Sequence, residues 1–117
     1  MIYNAEIAAI SYYLPDKILS NAELLQEIEG LTDKLLDKIG VEERRIAAPD
    51  EFVSTLAVKA AIKLFEENNI KPEEIEFLIL CTQSPDYFLP ATSCIVQNRL
   101  GLTDFWGRRV CCPDPAF

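Results

Sequence analysis

The chain has 117 residues, half of them apolar and 26% charged, a balance that suits one ordinary globular domain and not a disordered chain. Its net charge of −8 argues against a nucleic-acid surface, which needs clustered Lys and Arg, and against an anionic membrane partner. No apolar run approaches the ~20 residues of a membrane helix, and the complete absence of histidine removes Ser-His-Asp and Cys-His catalysis within these residues.

Taken in chain order, Ile2 to Tyr13 is rich in Ile, Ala and Tyr and predicts a buried strand that ends at Leu14-Pro15-Asp16. Its beginning lacks the basic start and apolar run of a signal peptide, so a cytoplasmic chain is expected. Ser20-Asn21-Ala22-Glu23 is a capping-box pattern and opens a short helix with Leu24, Leu25 and Ile28 on one side and Gly30 as its stop. Thr32 then caps a second short helix through Ile39, with Leu35, Leu36 and Ile39 apolar and Gly40 ending it. Gly40 to Asp50 reads as a polar connection, extended or turned before Pro49.

Asp50 is placed to cap the longest helix. There Val53, Ala57, Ala60, Ala61, Leu64 and Phe65 follow the helical period, and Asn68-Asn69 ends it. Pro72-Glu73-Glu74 starts one further turn. Phe77-Leu78-Ile79-Leu80-Cys81 is a continuous apolar run of strand length, as in a parallel sheet covered on both faces. Pro85 and Pro90 frame a loop, Ser93 can cap a helix through Leu100, and Gly101 is its C′ residue. The order of strand, helices, strand and helix predicts an α/β fold with right-handed crossovers.

The four cysteines are Cys81, Cys94, Cys111 and Cys112. None forms a C-x-x-C pair, and without histidine no common zinc pattern exists. Cys81 and Cys94 are expected as small buried hydrophobes. Reading the adjacent Cys111 and Cys112 as a redox or metal pair is a weaker alternative, because no further ligand cluster supports it.

Five pieces then stand in a characteristic order. They are Tyr12-Tyr13-Leu14-Pro15, Ser20-Asn21-Ala22-Glu23-Leu24, Gly40-Val41-Glu42-Glu43-Arg44, Ile46-Ala47-Ala48-Pro49 and Gln97-Asn98-Arg99-Leu100-Gly101. With Cys81-Thr82-Gln83-Ser84-Pro85-Asp86-Tyr87-Phe88-Leu89-Pro90, they resemble the N-terminal part of the ketoacyl-acyl carrier protein synthase III family. The resemblance runs over about 3–104. It implies part of the first half of a thiolase-like fold, with a mixed or parallel sheet under covering helices. It further implies 1–104 as a partial N-terminal domain and 105–117 as an atypical tail.

What the resemblance implies about chemistry is a decarboxylative condensation of acyl-coenzyme A with malonyl-acyl carrier protein in fatty-acid biosynthesis. The coenzyme A thioester is a substrate there, and no resident cofactor is implied. The expected partners are acyl-coenzyme A, acyl carrier protein and a second copy of the chain, with no nucleic acid and no membrane. In the family a cysteine at a helix N-terminus takes the acyl group, where the helix end lowers its thiol pKa. A later His and Asn stabilise the enolate. Counted without gaps from Leu100-Gly101, Val110 falls on the family's strand and that cysteine's position falls at Asp114. Cys111 and Cys112 come too early to be in register. The expectation is therefore a chain that is inactive as it stands, its tail altered by a reading-frame shift near Asp104.

Two further positions carry over by register. Lys34 and Lys38 stand where the family often sandwiches the coenzyme A adenine between a Trp and an Arg, so Lys38 keeps a positive charge while stacking is lost at both, and either coenzyme A binds more weakly or the donor differs. Solvated lysines on a helix would look the same. Leu89 stands where the family places an apolar residue that reaches into the partner subunit's acyl pocket. Two alternatives stay open. One is a non-catalytic dimerisation or interaction module, and the other is a starter acyltransferase of secondary metabolism from the same family.

Overall fold

The computed structural model describes residues 4–102 and 109–111. They form two compact units, Leu14–Glu51 and the described residues on either side of it.

The smaller unit is built on a two-stranded antiparallel ribbon. Strand β1 (Lys17–Ser20) pairs with β2 (Glu43–Ile46), with Lys17 opposite Ile46 and Ser20 opposite Glu43. Between them lie α1 (Asn21–Glu27) and α2 (Asp33–Ile39). The predicted capping box opens α1. Ser20 Oγ accepts from the Glu23 N–H at 3.3 Å, and the Ser20 N–H donates to Glu23 Oε2 at 2.8 Å. Helix α1 stops at Glu27, and Gly30 supplies a positive φ in the turn that follows. Thr32 holds the α2 N-cap position through backbone geometry, with no side-chain cap bond, and Gly40 ends the helix in the left-handed region. Leu36 is buried, while Leu35 and Ile39 remain exposed.

Strand β2 corrects the expected polar connection. Glu43-Arg44-Arg45-Ile46 has one apolar residue and no legible alternation, so only its pairing with distant β1 makes it a strand. Asn21 fixes the geometry. Its N–H donates to the Glu42 carbonyl at 3.1 Å, its Nδ2 to the Val41 carbonyl at 2.9 Å, and its Oδ1 accepts from Arg44 Nη1 at 2.8 Å. Arg45 Nη1 donates to the Pro15 carbonyl at 3.1 Å.

The larger unit centres on α3 (Val53–Asn68), which closes at Asn69 in the left-handed region. A single 3-10 turn, Pro72–Glu74, leads into β3 (Phe77–Ile79). Helix α4 (Thr92–Arg99) crosses over to β4 (Arg109–Cys111), which pairs parallel to β3 with Leu78 opposite Val110. Parallel neighbours require such a crossover. Val110 lies in a strand, as expected. Val96, Leu100 and Leu102 form the buried core of this unit, and Ala57, Ala61, Phe65 and Leu78 pack against it. The small Ala57 and Ala61 let α4 approach α3 closely.

Four expectations are corrected here. Asp50 does not cap α3: Phe52 occupies the N-cap position and contributes no side-chain bond. Ser93 does not cap α4 either. Ala91 is the cap, and Ser93 is fully buried inside the first turn. Strand β3 is covered on one face only, since Leu78 is half-buried while Ile79 is 64% exposed. Cys81 and Cys94 are exposed rather than buried. Cys81 lies past the end of β3, and Cys94 points away from the side of α4 that buries Thr92, Ser93 and Val96.

The largest departure is residues 4–13, which carry no strand pairing. Ile7 and Ile10 are 81% and 79% exposed. A strand exists only where a neighbour takes its N–H and C=O groups, however well its sequence suits the role. The end of the segment is instead fixed by polar contacts along α3. Lys59 Nζ lies 4.5 Å from the Tyr13 ring centroid and donates to its hydroxyl at 2.9 Å. Lys63 Nζ lies 4.8 Å from the Tyr12 ring centroid, and Ser11 Oγ donates to Glu67 Oε2 at 3.0 Å.

Candidate functional site

The most specific constellation in the larger unit joins the loop of residues 83–90 to the starts of α3 and α4. Helix α3 has no local side-chain cap, so its first-turn N–H groups need an acceptor from elsewhere. Asp86 supplies it across 32 positions of sequence: its Oδ1 accepts from the Ser54 N–H at 3.0 Å. A carboxylate there also complements the positive end of the helix dipole. The Asp86 N–H donates in turn to Thr92 Oγ1 at 3.0 Å, in the first turn of α4. Arg99 Nη1 closes the arrangement by donating to Ser54 Oγ at 3.0 Å and Thr55 Oγ1 at 3.2 Å. Ser54 and Thr92 are buried, and every buried side-chain polar atom among the described residues has a hydrogen-bond partner.

Beyond this anchor the loop turns apolar and leaves the protein surface. Tyr87 is exposed, Phe88 is 96% exposed and Leu89 is 86% exposed. The three residues, with Gln83, Pro85 and Asp86, line an open depression of about 700 Å³. Water-facing Phe and Leu side chains in sequence form the kind of apolar patch that marks a contact surface.

The positions expected to bind substrate fall in different units. Lys34 and Lys38 lie on α2, four residues apart and so on one side of that helix, and both are exposed. Leu89 belongs to the larger unit, at the loop tip. Cys111 is the last residue of β4, opposite Ile79. Cys112 and Asp114 lie outside the described residues. Among the described residues no group of three or more His, Cys, Asp or Glu is arranged to hold a metal ion, and no helix is long and apolar enough to cross a membrane.

The Glu23 carboxyl lies at the start of α1, in the smaller unit. The Ser20 backbone N–H holds it below its ordinary value, helped by the Ser20 hydroxyl and by the charge of Lys17. It belongs to the α1 cap and not to any reacting centre.

Reading the sequence picked out Leu89 and the two lysines but missed Asp86, Ser54, Thr92 and Arg99. The signal that would have found them is Phe52 itself. An aromatic residue at the start of a helix leaves the first N–H groups without a local acceptor, and Asp86 follows a proline in a loop rich in turn formers.

Known proteins resemble this chain in both sequence and fold. Beta-ketoacyl-acyl-carrier-protein synthase III of Campylobacter jejuni is 42% identical over 101 residues, covering 86% of this chain and 31% of that enzyme. The same enzyme of Chlamydia caviae is 39% identical over 103 residues, covering 88% of this chain and 31% of the relative. Among solved structures, a 3-oxoacyl-acyl-carrier-protein synthase III superposes with a TM-score of 0.76 at 42% identity, over 92% of this chain and 32% of that one. The Thermus thermophilus synthase III superposes with a TM-score of 0.77 at 31% identity, over 93% of this chain and 33% of that one. No protein-family model matches the chain. The chain spans about a third of the length of the curated relatives it matches.

Proposed function

We propose, since over its matched residues the chain belongs to the beta-ketoacyl-acyl-carrier-protein synthase III family, that it is part of an acyltransferase of fatty-acid biosynthesis and does not condense substrates by itself. The complete enzyme would join an acyl-coenzyme A to malonyl-acyl carrier protein with loss of carbon dioxide. The observation that carries this reading is the agreement of sequence and fold with one enzyme, set against a sequence without histidine.

The chemistry follows from what is present. Acyl transfer needs a thiolate stabilised at a helix end, and decarboxylation needs donors for an enolate oxygen. By register the thiol's position is Asp114, with Cys111 and Cys112 ahead of it, and no imidazole exists to assist. Residues 1–104 act as a partial N-terminal domain, and 105–117 replace the nucleophile segment through a reading-frame shift. Lys34 and Lys38 hold the adenine positions without a stacking surface, so either coenzyme A binds more weakly or the donor differs. Leu89 reaches into the acyl pocket of a second copy, and the protein is cytoplasmic.

A second reading has its own support. The priming beta-ketosynthase of the R1128 polyketide pathway superposes with a TM-score of 0.74 at 27% identity. A starter acyltransferase of that kind would suit the altered adenine positions. A non-catalytic dimerisation module would use the exposed loop tip and neither lysine.

Radiolabelled acetyl-coenzyme A tests the main reading. With malonyl-acyl carrier protein present, this chain should yield neither labelled protein nor condensation product. A chain continued in the frame that restores Cys-(Ser/Ala)-Gly-Phe should yield both. Stable acyl labelling of the 117-residue chain itself would contradict the proposal.

A further inference from the structure

We infer that Asp86 is a positioning residue for the Tyr87-Phe88-Leu89 tip, tying the loop to the first turns of two helices so that the tip stands ready as a formed contact element. The inference rests on the reading of Leu89 as a partner-facing residue and adds what makes that residue effective.

Tip side chains exposed to water gain nothing locally from packing, so the order of the tip must come from backbone anchors next to it. Asp86 is covalently adjacent and makes two such anchors. Its side chain accepts from the Ser54 N–H at 3.0 Å, and its own N–H donates to Thr92 Oγ1 at 3.0 Å. Both partners are rigid, because Ser54 is 0% and Thr92 3% exposed. Arg99 binds Ser54 Oγ at 3.0 Å and so links the last turn of α4 to the first turn of α3. The loop is therefore fastened to a braced helix pair rather than to one flexible end. An apolar tip held in place this way avoids the ordering cost that a mobile loop meets on association.

A purely structural helix cap would act only on α3. The two roles separate on Thr92→Val, which keeps the branched shape and deletes the acceptor for the Asp86 N–H while leaving the Ser54 contact alone. Three measurements on the full chain decide the matter: chymotryptic nicking after Tyr87 and Phe88 under native conditions, hydrogen exchange of the Ser54 amide, and self-association by sedimentation equilibrium.

Thr92→Val should speed nicking at the tip by about tenfold and weaken association, with Ser54 exchange unchanged. Asp86→Ala should speed both nicking and Ser54 exchange by about tenfold or more. Asp86→Asn, which retains an acceptor and an N–H, should return most of the protection. Unchanged nicking in Thr92→Val and Asp86→Ala would overturn the inference. So would equal acceleration of cleavage at Phe65 in the interior of α3, which would signal general loosening. If Asp86→Ala fails to fold, Thr92→Val and Asp86→Asn still decide the question. Leu89→Ser separates the underlying reading: unchanged association there would overturn the partner contact, whereas the nicking results speak to Asp86 alone.

Discussion

Residues 4–13 and residues 92–102 both belong to the larger unit and both carry apolar side chains, and they end up in opposite conditions. In the second, α4 and the turn after it bury Val96, Leu100 and Leu102; Thr92 accepts from the Asp86 N–H, the Leu102 carbonyl accepts from Gln97, and Arg99 donates to Ser54 of α3. In the first, Ile7 and Ile10 face water, and Lys59, Lys63 and Glu67 on one side of α3 hold its end. The difference is not in hydrophobicity. A helix satisfies its own backbone and then needs only one covered face, whereas a strand needs a neighbour for its backbone before its side chains count. Among the described residues the helical region finds its cover, and residues 4–13 have no paired strand neighbour.

The sharpest way to break this comparison is to remove apolar mass from each side. Leu100→Ala should lower the stability of the larger unit by about 2–4 kcal/mol, read from the urea midpoint, because it opens a cavity in the core. Ile10→Ala should change it by less than about 0.5 kcal/mol, since no cavity forms where water already sits. Equal losses would mean that residues 4–13 are covered in solution. Self-association would be the natural cause, and Ile7→Lys with Ile10→Lys should then abolish any concentration dependence in light scattering.

Smaller changes sharpen the comparison further. Ser20→Ala removes the α1 cap and should cost about 1 kcal/mol, seen as lost helicity with no effect on the α3–α4 core. Lys63→Met should cost about 0.5 kcal/mol and free the Tyr12 end of the segment, measured as faster proteolysis after Tyr12. The smallest effect is one of pH. The Glu23 carboxyl titrates below its ordinary value, so its contribution to the α1 cap is fully present above the unfolded value and fades as pH falls through the lowered folded one. Acid titration of helicity should show this step, and Glu23→Gln should remove it.

How much was legible in the sequence follows the range of each interaction. Ser20 with Glu23, Gly40 and Gly101 mark helix ends that depend on neighbours within four residues, and all were readable. The Ala57, Ala61 and Phe65 stripe was readable because period alone defines it. Strand β2 was not, because its four residues are mostly charged and its partner lies more than twenty positions away. The true acceptor at α3 was hidden for the same reason, and Asp50 looked suitable only because it was near. Ser93 misled through chemistry: serine favours caps, yet here it fits a buried place inside the turn. At the candidate site, the framing prolines marked a loop, and Leu89 was singled out only by what the family resemblance implies. The anchor at Asp86 could be read only from the fold.

The most direct measurement is to read the coding DNA through and beyond codon 104 in all three frames. The account predicts that another frame continues from there with a Cys-(Ser/Ala)-Gly-Phe turn and, later, a His and an Asn. Absence of any such frame would contradict it and leave the non-catalytic module as the better description of this chain.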